Sequence, residues 1–172
     1  MDFFELAEKR YSVRKYTAEK LSQQQIDKLL HAANIAPTGC NNQPQRILVL
    51  NSTDAIEMLK KCTKCHFDAP SAMLFCYNQN ECWQRKYDGA VSGEIDTTIV
   101  ATHVMLAACE MGLGSCMVMH FDPQKMRDEF CIPEHIKPVL LLVLGHPAPD
   151  SEPLPLHEQT KDISQTVLYD RF

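Results

Sequence analysis

The stretch "RYSVRKY", residues 10–16, places basic side chains on both sides of one serine in a chain whose net charge is -5. If the backbone is extended here, alternate residues point the same way, so Arg10, Ser12 and Arg14 share one side. Two guanidiniums and a hydroxyl would then form a cradle for an anion such as a phosphate, or for a carbonyl-rich ring edge. The alternative is a solvated helix end whose arginines form loose salt bridges to Glu5 or Glu8.

A second segment with chemical potential is "APTGCNNQPQ", residues 36–45, which combines prolines and a glycine with several side-chain amides. Asn and Gln both donate and accept hydrogen bonds, which suits the edge of a heteroaromatic ring better than it suits a phosphate. The same composition is also typical of an ordinary turn.

A third segment is "EMGLGSCMVMHFDP", residues 110–123, in which two glycines lead into a predicted strand. Glycine allows the backbone to approach a ligand closely and to present N–H groups to it. The chain has no Gly-x-Gly-x-x-Gly after a first strand and no Gly-x-x-x-x-Gly-Lys-Ser/Thr. Neither a dinucleotide-binding Rossmann site nor a P-loop is therefore supported.

The elements that position these segments follow from caps and apolar runs. Predicted helices begin after Asp2, Ser22, Ser92 and Asp122, each a capping residue, and a further helix covers residues 53–61. Four apolar runs predict buried strands: "QRILVLN", "AMLFCYN", "SCMVM" and "PVLLLVLG". Helices alternating with strands indicate one layered α/β domain over residues 1–172, which includes an extended, proline-rich C-terminal arm from about residue 148.

Composition limits the class of protein. With 172 residues and 45% hydrophobic residues, the chain can bury a core without disulfides, so its eight cysteines are interpreted as reduced thiols. The acidic balance argues against a nucleic-acid partner. No signal peptide and no membrane-spanning run is recognised, which predicts a soluble cytoplasmic protein.

Two further groups of residues have alternative interpretations. "KCTKCHF", residues 61–67, contains half of a metal or redox motif, but no second half with tight spacing follows, so structural thiols are favoured. His103 falls within the long core helix, where a buried histidine with satisfied hydrogen bonds is expected. No metal site is predicted.

Taken together and in order, these segments resemble the FMN-dependent nitroreductase family. "RYSVRKY" looks like its N-terminal flavin motif and "APTGCNNQPQ" like its second. "DGAVSGEIDTTIVATHVMLAACEMGLGS" is similar to its central helix, and "GLGSCMVMHFDP" with "IPEHIKPVLLLVLGHPAP" resembles its C-terminal half. The resemblance implies an α+β fold with α/β/α layers, a mixed and mainly antiparallel sheet, and a homodimer that exchanges C-terminal arms.

The resemblance also implies roles for individual residues. Arg10 and Ser12, beside Tyr11, would hold the FMN phosphate, and Arg14 would lie at the pyrimidine edge of the flavin, where a cation stabilises the reduced ring. Pro37, Thr38 and Gly39 of the second subunit would cover the flavin ring, with Asn41 nearby and Gln43 fixing the loop. The backbone of Met119 and His120 would meet the N5 side of the flavin, and Gly145 would precede the stretch that returns to the phosphate. The family's late phosphate-binding arginine is missing, and Lys161 is the substitute. His120 is a weak candidate for a general acid.

The implied activity is hydride transfer from NADH or NADPH to FMN and then, by ping-pong kinetics, to a small acceptor such as a nitroaromatic or a quinone. Two alternatives stay open. The protein is an FMN-sequestering module without turnover if Met119 and His120 close the space above the ring, or a specialised enzyme of the same fold that acts on another substrate.

Overall fold

The computed structural model describes residues 2–172. Four strands form one sheet: β1 (Gln45–Leu50), β2 (Ser71–Asn78), β3 (Gly114–Val118) and β4 (Ile136–Gly145). Their order is β1-β2-β4-β3, and all three neighbouring pairs are antiparallel. A single parallel bridge joins Ser12 to Ser115 beside β3. The four predicted strands and the predicted α+β fold class are confirmed. The prediction that β1 is buried is wrong, because β1 lies at the edge of the sheet and only Leu50 within it is buried. Exchange of C-terminal arms in a homodimer stays a prediction.

Five α-helices surround the sheet: α1 (Phe3–Lys9), α2 (Gln23–Asn34), α3 (Thr53–Cys62), α4 (Gly93–Glu110) and α5 (Pro123–Glu129). Capping boxes start α1 at Asp2 and α2 at Ser22, as predicted. The predicted cap of α4 is different, because the Ser92 side chain accepts no helix N–H and instead donates to the Asp96 carboxylate. The Ser92 hydroxyl therefore stabilises the buried Asp96 carboxylate and does not cap the helix.

The core has two parts, one on each face of the sheet. Side chains of one parity on β2 and β4, such as Phe75 and Leu142, pack with Leu29 of α2 and Val104 of α4. Side chains of the other parity pack with α3 and α5; this second cluster includes Leu74, Leu141, Leu59 and Met126. Because successive strand residues point to opposite faces, the continuous apolar runs of β2 and β4 fill both layers.

The chain after β4 lies against the N-terminal segment and then becomes exposed. Tyr16 pairs with Pro147 in an antiparallel bridge, and the Ala148 N–H donates to the Lys15 carbonyl at 3.0 Å. Two short 3-10 turns follow at Pro155–Glu158 and Ile163–Gln165, and residues 158–172 are exposed throughout. Single-domain organisation with an arm from about residue 148 stays a prediction.

No helix within residues 2–172 combines the length and the apolar character needed to cross a bilayer.

Candidate functional site

The N-terminal basic segment lines a cavity of about 280 Å³. Arg10, Tyr11, Ser12 and Arg14 form one wall, and Leu154, Leu156 and His157 from the C-terminal segment form the other. The structure therefore brings together the residues that the alternation of "RYSVRKY" places on one side of the chain. Tyr11 also lines this cavity. Its hydroxyl donates to the Ser151 carbonyl at 3.1 Å and so links the N-terminal segment to the C-terminal segment.

Val13 fixes this basic segment to the sheet. Its side chain is only 2% exposed, and its N–H donates to the Ser115 carbonyl of β3 at 3.0 Å. The Tyr16 hydroxyl donates to the Val13 carbonyl at 2.7 Å. With the apolar residue anchored inward, the flanking Ser12 and Arg14 necessarily face the cavity side.

The charge of the cavity is positive. Within residues 2–172, neither Arg10 nor Arg14 forms an ion pair, so the expected alternative of salt bridges to Glu5 or Glu8 is not what the structure contains. The Arg14 guanidinium lies 5.7 Å from the centre of the Phe67 ring and donates to the Ser12 carbonyl at 3.0 Å. Burial raises the pKa of the nearby Cys116 thiol, which keeps that group neutral. Two unpaired guanidiniums and a serine hydroxyl fit a phosphate.

The glycine that opens β3 serves this segment. A Cβ on Gly114 would lie 2.8 Å from both methyl carbons of Val13. The glycine therefore makes room for the chain segment that carries the arginines, and close approach of a ligand at this point stays a prediction. Gly145 of β4, which pairs with Gly114, has a similar role. A Cβ on Gly145 would lie 2.8 Å from Pro70 Cδ and 3.0 Å from Tyr16 Cδ1.

The second predicted segment forms a tightly wound loop at residues 37–43. Its Gln43 N–H donates to Thr38 Oγ1 at 3.1 Å, and the Gln43 side chain donates to Asn41 Oδ1 at 3.3 Å. Pro37 and Asn41 are exposed, whereas Thr38 and Gly39 are half-buried. Gln43 thus braces the loop, and the amides of the segment are partly used inside it.

The loop and the cavity lie at opposite ends of α4. The Gly39 N–H donates to Asp96 in the first turns of this helix, whereas Cys109, near its last turn, borders the segment that contains Arg10 and Tyr11. The helix has 18 residues and is roughly 27 Å long at 1.5 Å per residue. One chain therefore does not bring its own loop to its own arginine cavity.

The segment that follows β3 is exposed. Met119 is 79% exposed and His120 is also exposed, while the His120 carbonyl accepts a hydrogen bond from the buried Thr63 hydroxyl. His120 lines a different depression, of about 450 Å³, with residues such as Thr63 and Lys64. The two cavities share no residue.

The C-terminal segment contributes a residue that the sequence did not identify. His157 lines the arginine cavity, and its ring centre lies 6.3 Å from that of Tyr11. Lys161, the predicted substitute for a late arginine, is exposed and is not among the residues that line the cavity. No local pattern distinguishes the histidine within "PLPLHE", because its position depends on the tertiary path of the arm.

The structure also places the remaining cysteine and histidine candidates, namely Cys62, Cys65 and His103. Cys62 is buried in the core beside α5, Cys65 packs against that core, and both are free thiols. Nowhere in residues 2–172 do three potential ligands gather as a metal site. His103 is only half-buried, so its expected place in the core is wrong. It lines an open groove along α4 with Ile99 and Leu106, on a face of the helix that residues 2–172 leave largely uncovered.

Comparison with known proteins identifies the family. The family model described as "Nitroreductase family" matches residues 7–79 and 67–146. A solved nitroreductase family protein from Clostridium difficile 630 is 39% identical, with full coverage of both chains and a TM-score of 0.94. The chain therefore belongs to the nitroreductase family.

Two named relatives are more distant in sequence. A Methanothermobacter thermautotrophicus protein, named as a candidate NADH dehydrogenase/NAD(P)H nitroreductase, is 30% identical over 158 residues, which cover 86% of this chain and 78% of the relative. An FMN reductase of Bacillus subtilis that uses NAD(P)H is 25% identical over 176 residues, covering 91% and 71% of the two chains.

Proposed function

We propose that this protein is an FMN-dependent oxidoreductase that takes hydride from NADH or NADPH and passes it to a small acceptor such as a nitroaromatic or a quinone, with ping-pong kinetics. The observation that carries the proposal is the cavity in which Arg10, Ser12 and Arg14 converge without a counter-charge. Membership of the nitroreductase family and the printed name of the Bacillus subtilis relative support FMN as the ligand. The eight free thiols suit the reducing cytoplasm.

Four residues that line the cavity have separate roles in this proposal. The Arg10 guanidinium and the Ser12 hydroxyl bind the phosphate, and His157 contributes a further ring from the C-terminal segment. Arg14, held by the Phe67 ring and the Ser12 carbonyl, provides positive charge beside the flavin. FMN, when bound, supplies the atom that accepts and donates hydride, so the chain contributes position, charge and exclusion of water.

The flavin site is completed by a second copy of the chain. The loop at residues 37–43 and the arginine cavity lie at opposite ends of α4, so a flavin that contacts both needs two chains whose α4 helices run antiparallel. Such a dimer contains two equivalent sites, each made of one cavity and the partner's loop.

The exposed face of α4 supports this homodimer. Ile95 is 66% exposed and lies with Ile99, Leu106 and Phe3 in an open groove of about 650 Å³. An apolar face of this kind on a central helix is typical of an interface. The C-terminal arm has apolar side chains that the described part of the chain leaves exposed, namely Leu156, Ile163, Leu168 and Tyr169. Exchange of the arms between subunits would bury them.

The decisive experiment is an FMN titration followed by anaerobic mixing with NADH or NADPH. We expect purified protein to bind FMN, to gain thermal stability from it, and to lose the oxidised flavin absorbance with at least one nucleotide. Binding without bleaching by either nucleotide would identify an FMN-sequestering protein. Bleached enzyme that is reoxidised only by some other substrate would indicate a specialised enzyme of the fold.

A charge-matched pair of variants tests the cavity itself. Arg10→Gln removes one guanidinium from the cavity, whereas Lys28→Gln removes a positive charge from the exposed face of α2. We expect the first to raise the dissociation constant of FMN about tenfold or more and the second to leave it unchanged. Equal effects of the two variants would show that only overall charge matters, and the cavity assignment would fail.

The dimer is tested by sedimentation. Ile95→Glu places a charge on the exposed face of α4, and Leu48→Glu places the same charge on an exposed position of β1. We expect a dimer for the unmodified chain and for the β1 variant, and a shift toward monomer for the α4 variant. A monomeric unmodified chain at micromolar concentration would contradict the two-chain site.

A further inference from the structure

Asp96 is a buried carboxylate that the candidate cofactor contacts do not include. It is 2% exposed, and no ion pair reaches it within residues 2–172. One oxygen accepts the Gly39 N–H at 2.8 Å and the other accepts the Ser92 hydroxyl at 2.6 Å. A buried carboxylate is costly unless hydrogen bonds compensate it, so the presence of Asp96 at this position calls for a physical reason.

The loop that Asp96 holds has an unfavourable backbone. Cys40, Asn41 and Gln43 have φ values of 51°, 55° and 49°, in the left-handed region that residues other than glycine rarely adopt. Three such residues within four positions persist only where surrounding contacts determine the conformation. From outside the loop, Asp96 supplies a charge-assisted bond at Gly39, immediately before the left-handed residues.

The same point joins the loop to the chain segment before α4. A Cβ on Gly39 would lie 3.1 Å from Trp83 Cβ and 3.4 Å from Ser92 Oγ, so the loop backbone sits directly against both residues. The Ser92 N–H in turn donates to the Trp83 carbonyl at 2.9 Å. Asp96 therefore holds Gly39 against Trp83 and against Ser92, the residue that precedes α4.

We propose that Asp96 is a positioning residue that holds the loop at residues 37–43 in the conformation required for flavin binding. This inference rests on the proposed function, in which that loop covers the flavin bound by the partner subunit. A loop that is already ordered loses less conformational freedom when the ligand binds, so the carboxylate increases affinity without touching the ligand.

Two substitutions at this position separate charge from hydrogen bonding. Asp96→Asn keeps the size of the side chain and an oxygen that can accept the Gly39 N–H, but removes the negative charge. Asp96→Ala removes both acceptors. We expect the FMN dissociation constant to rise modestly for the first variant and about tenfold or more for the second, with a larger change in KM for the nucleotide than in kcat.

Hydrogen exchange provides a readout that general destabilisation would not give. In the apoprotein, both variants should exchange faster in a peptide that covers residues 36–43, while peptides from the central β2 and β4 strands stay protected. The control is Ser52→Ala, which removes the side-chain cap at the start of α3, where Ser52 Oγ accepts the Ala55 N–H at 3.1 Å. It should lower Tm without changing loop exchange or FMN affinity.

Different outcomes test the role of Asp96 and the proposed function separately. Unchanged loop exchange in Asp96→Asn and Asp96→Ala would overturn the inference, and so would a loosened loop combined with an FMN dissociation constant within twofold of the unmodified protein. If Asp96→Ala does not fold, the Asn variant decides. Failure of the unmodified protein to bind FMN would instead overturn the proposed function, and the exchange data would still report whether Asp96 holds the loop.

Discussion

Substitution of Gly114 by alanine should damage the candidate FMN site from a position that does not line the arginine cavity. The added Cβ would lie 2.8 Å from Val13 Cγ1 and Cγ2, well inside van der Waals contact. The strand backbone of β3 is fixed by its pairing with β4, so Val13 has to move. Because Val13 lies between Ser12 and Arg14, its displacement moves the groups that would bind the phosphate.

The magnitude follows from two contributions. Overpacking of a filled core position costs about 1–3 kcal/mol of unfolding free energy. Displacement of one charge-assisted hydrogen bond to the phosphate weakens binding by about 1.5–3 kcal/mol, or roughly tenfold to a hundredfold in the dissociation constant. Urea denaturation of the apoprotein measures the first quantity, and FMN titration by fluorescence measures the second.

Gly112 provides the matched control, two residues away. It has a φ of 73° and nothing within 4 Å of an added Cβ, so Gly112→Ala introduces left-handed strain of about 1–2 kcal/mol without a clash. We expect it to lose stability and keep FMN affinity. Val13→Ala should partly rescue Gly114→Ala, with a coupling of about 1 kcal/mol or more in the double-mutant cycle. Equal FMN affinity of the two glycine variants, or no coupling, would refute the reasoning.

Three other predictions use the same structure. His157→Ala should raise the FMN dissociation constant several-fold and His157→Arg should lower it, whereas Lys161→Ala should have no effect. FMN titration of the three variants tests this, and a dissociation constant that changes only in Lys161→Ala would contradict it. Burial raises the pKa of the Cys76 thiol from 9.0 to about 12. Between these values the unfolded thiol loses its proton while the folded one retains it, so unfolding free energy should fall with rising pH by up to about 1.4 kcal/mol per unit. Urea denaturation from pH 8 to 11 tests this, and a Cys76→Ala variant with the same slope would contradict it. Iodoacetamide should label the exposed Cys131 rapidly in the folded protein, and mass spectrometry should find Cys62, Cys76 and Cys116 unmodified until the chain unfolds.

The features that the sequence predicts correctly are those with local causes. The capping boxes at Asp2 and Ser22 and the apolar runs of β2 and β4 involve neighbours a few residues apart, and the structure contains them within one or two residues of the predicted bounds. The alternation around Ser12 is also local, because one buried valine is enough to set the direction of its neighbours.

The features that the sequence does not reveal depend on tertiary packing. Ser92 looks like an ordinary helix cap, but a buried acid four residues later takes its hydroxyl. Gly114 suggests close approach of a ligand, whereas the close neighbour is Val13, about one hundred residues earlier in the chain. His103 falls in a helix whose sequence is apolar nearly all round from Ile99 onward. Only the three-dimensional arrangement reveals that the face with His103 lies along an open groove.

In the proposed dimer, the length of α4 would link FMN binding to assembly of the two chains. Since the loop at residues 37–43 and the arginine cavity are fixed near opposite ends of this helix, a monomer offers FMN only one half of the proposed site. The proposed dimer offers both halves, so we expect FMN to bind it more tightly than the monomer. By linkage, FMN should then strengthen dimerisation, by up to that factor for each of the two sites. Sedimentation near the dimer dissociation constant should therefore show a larger dimer fraction when FMN is present. In Asp96→Ala this gain should shrink, because the partner's loop contributes less, even if α4 still pairs normally. A dimer whose stability is indifferent to FMN would mean that each subunit binds its cofactor alone, which contradicts the separation of the two halves along one helix.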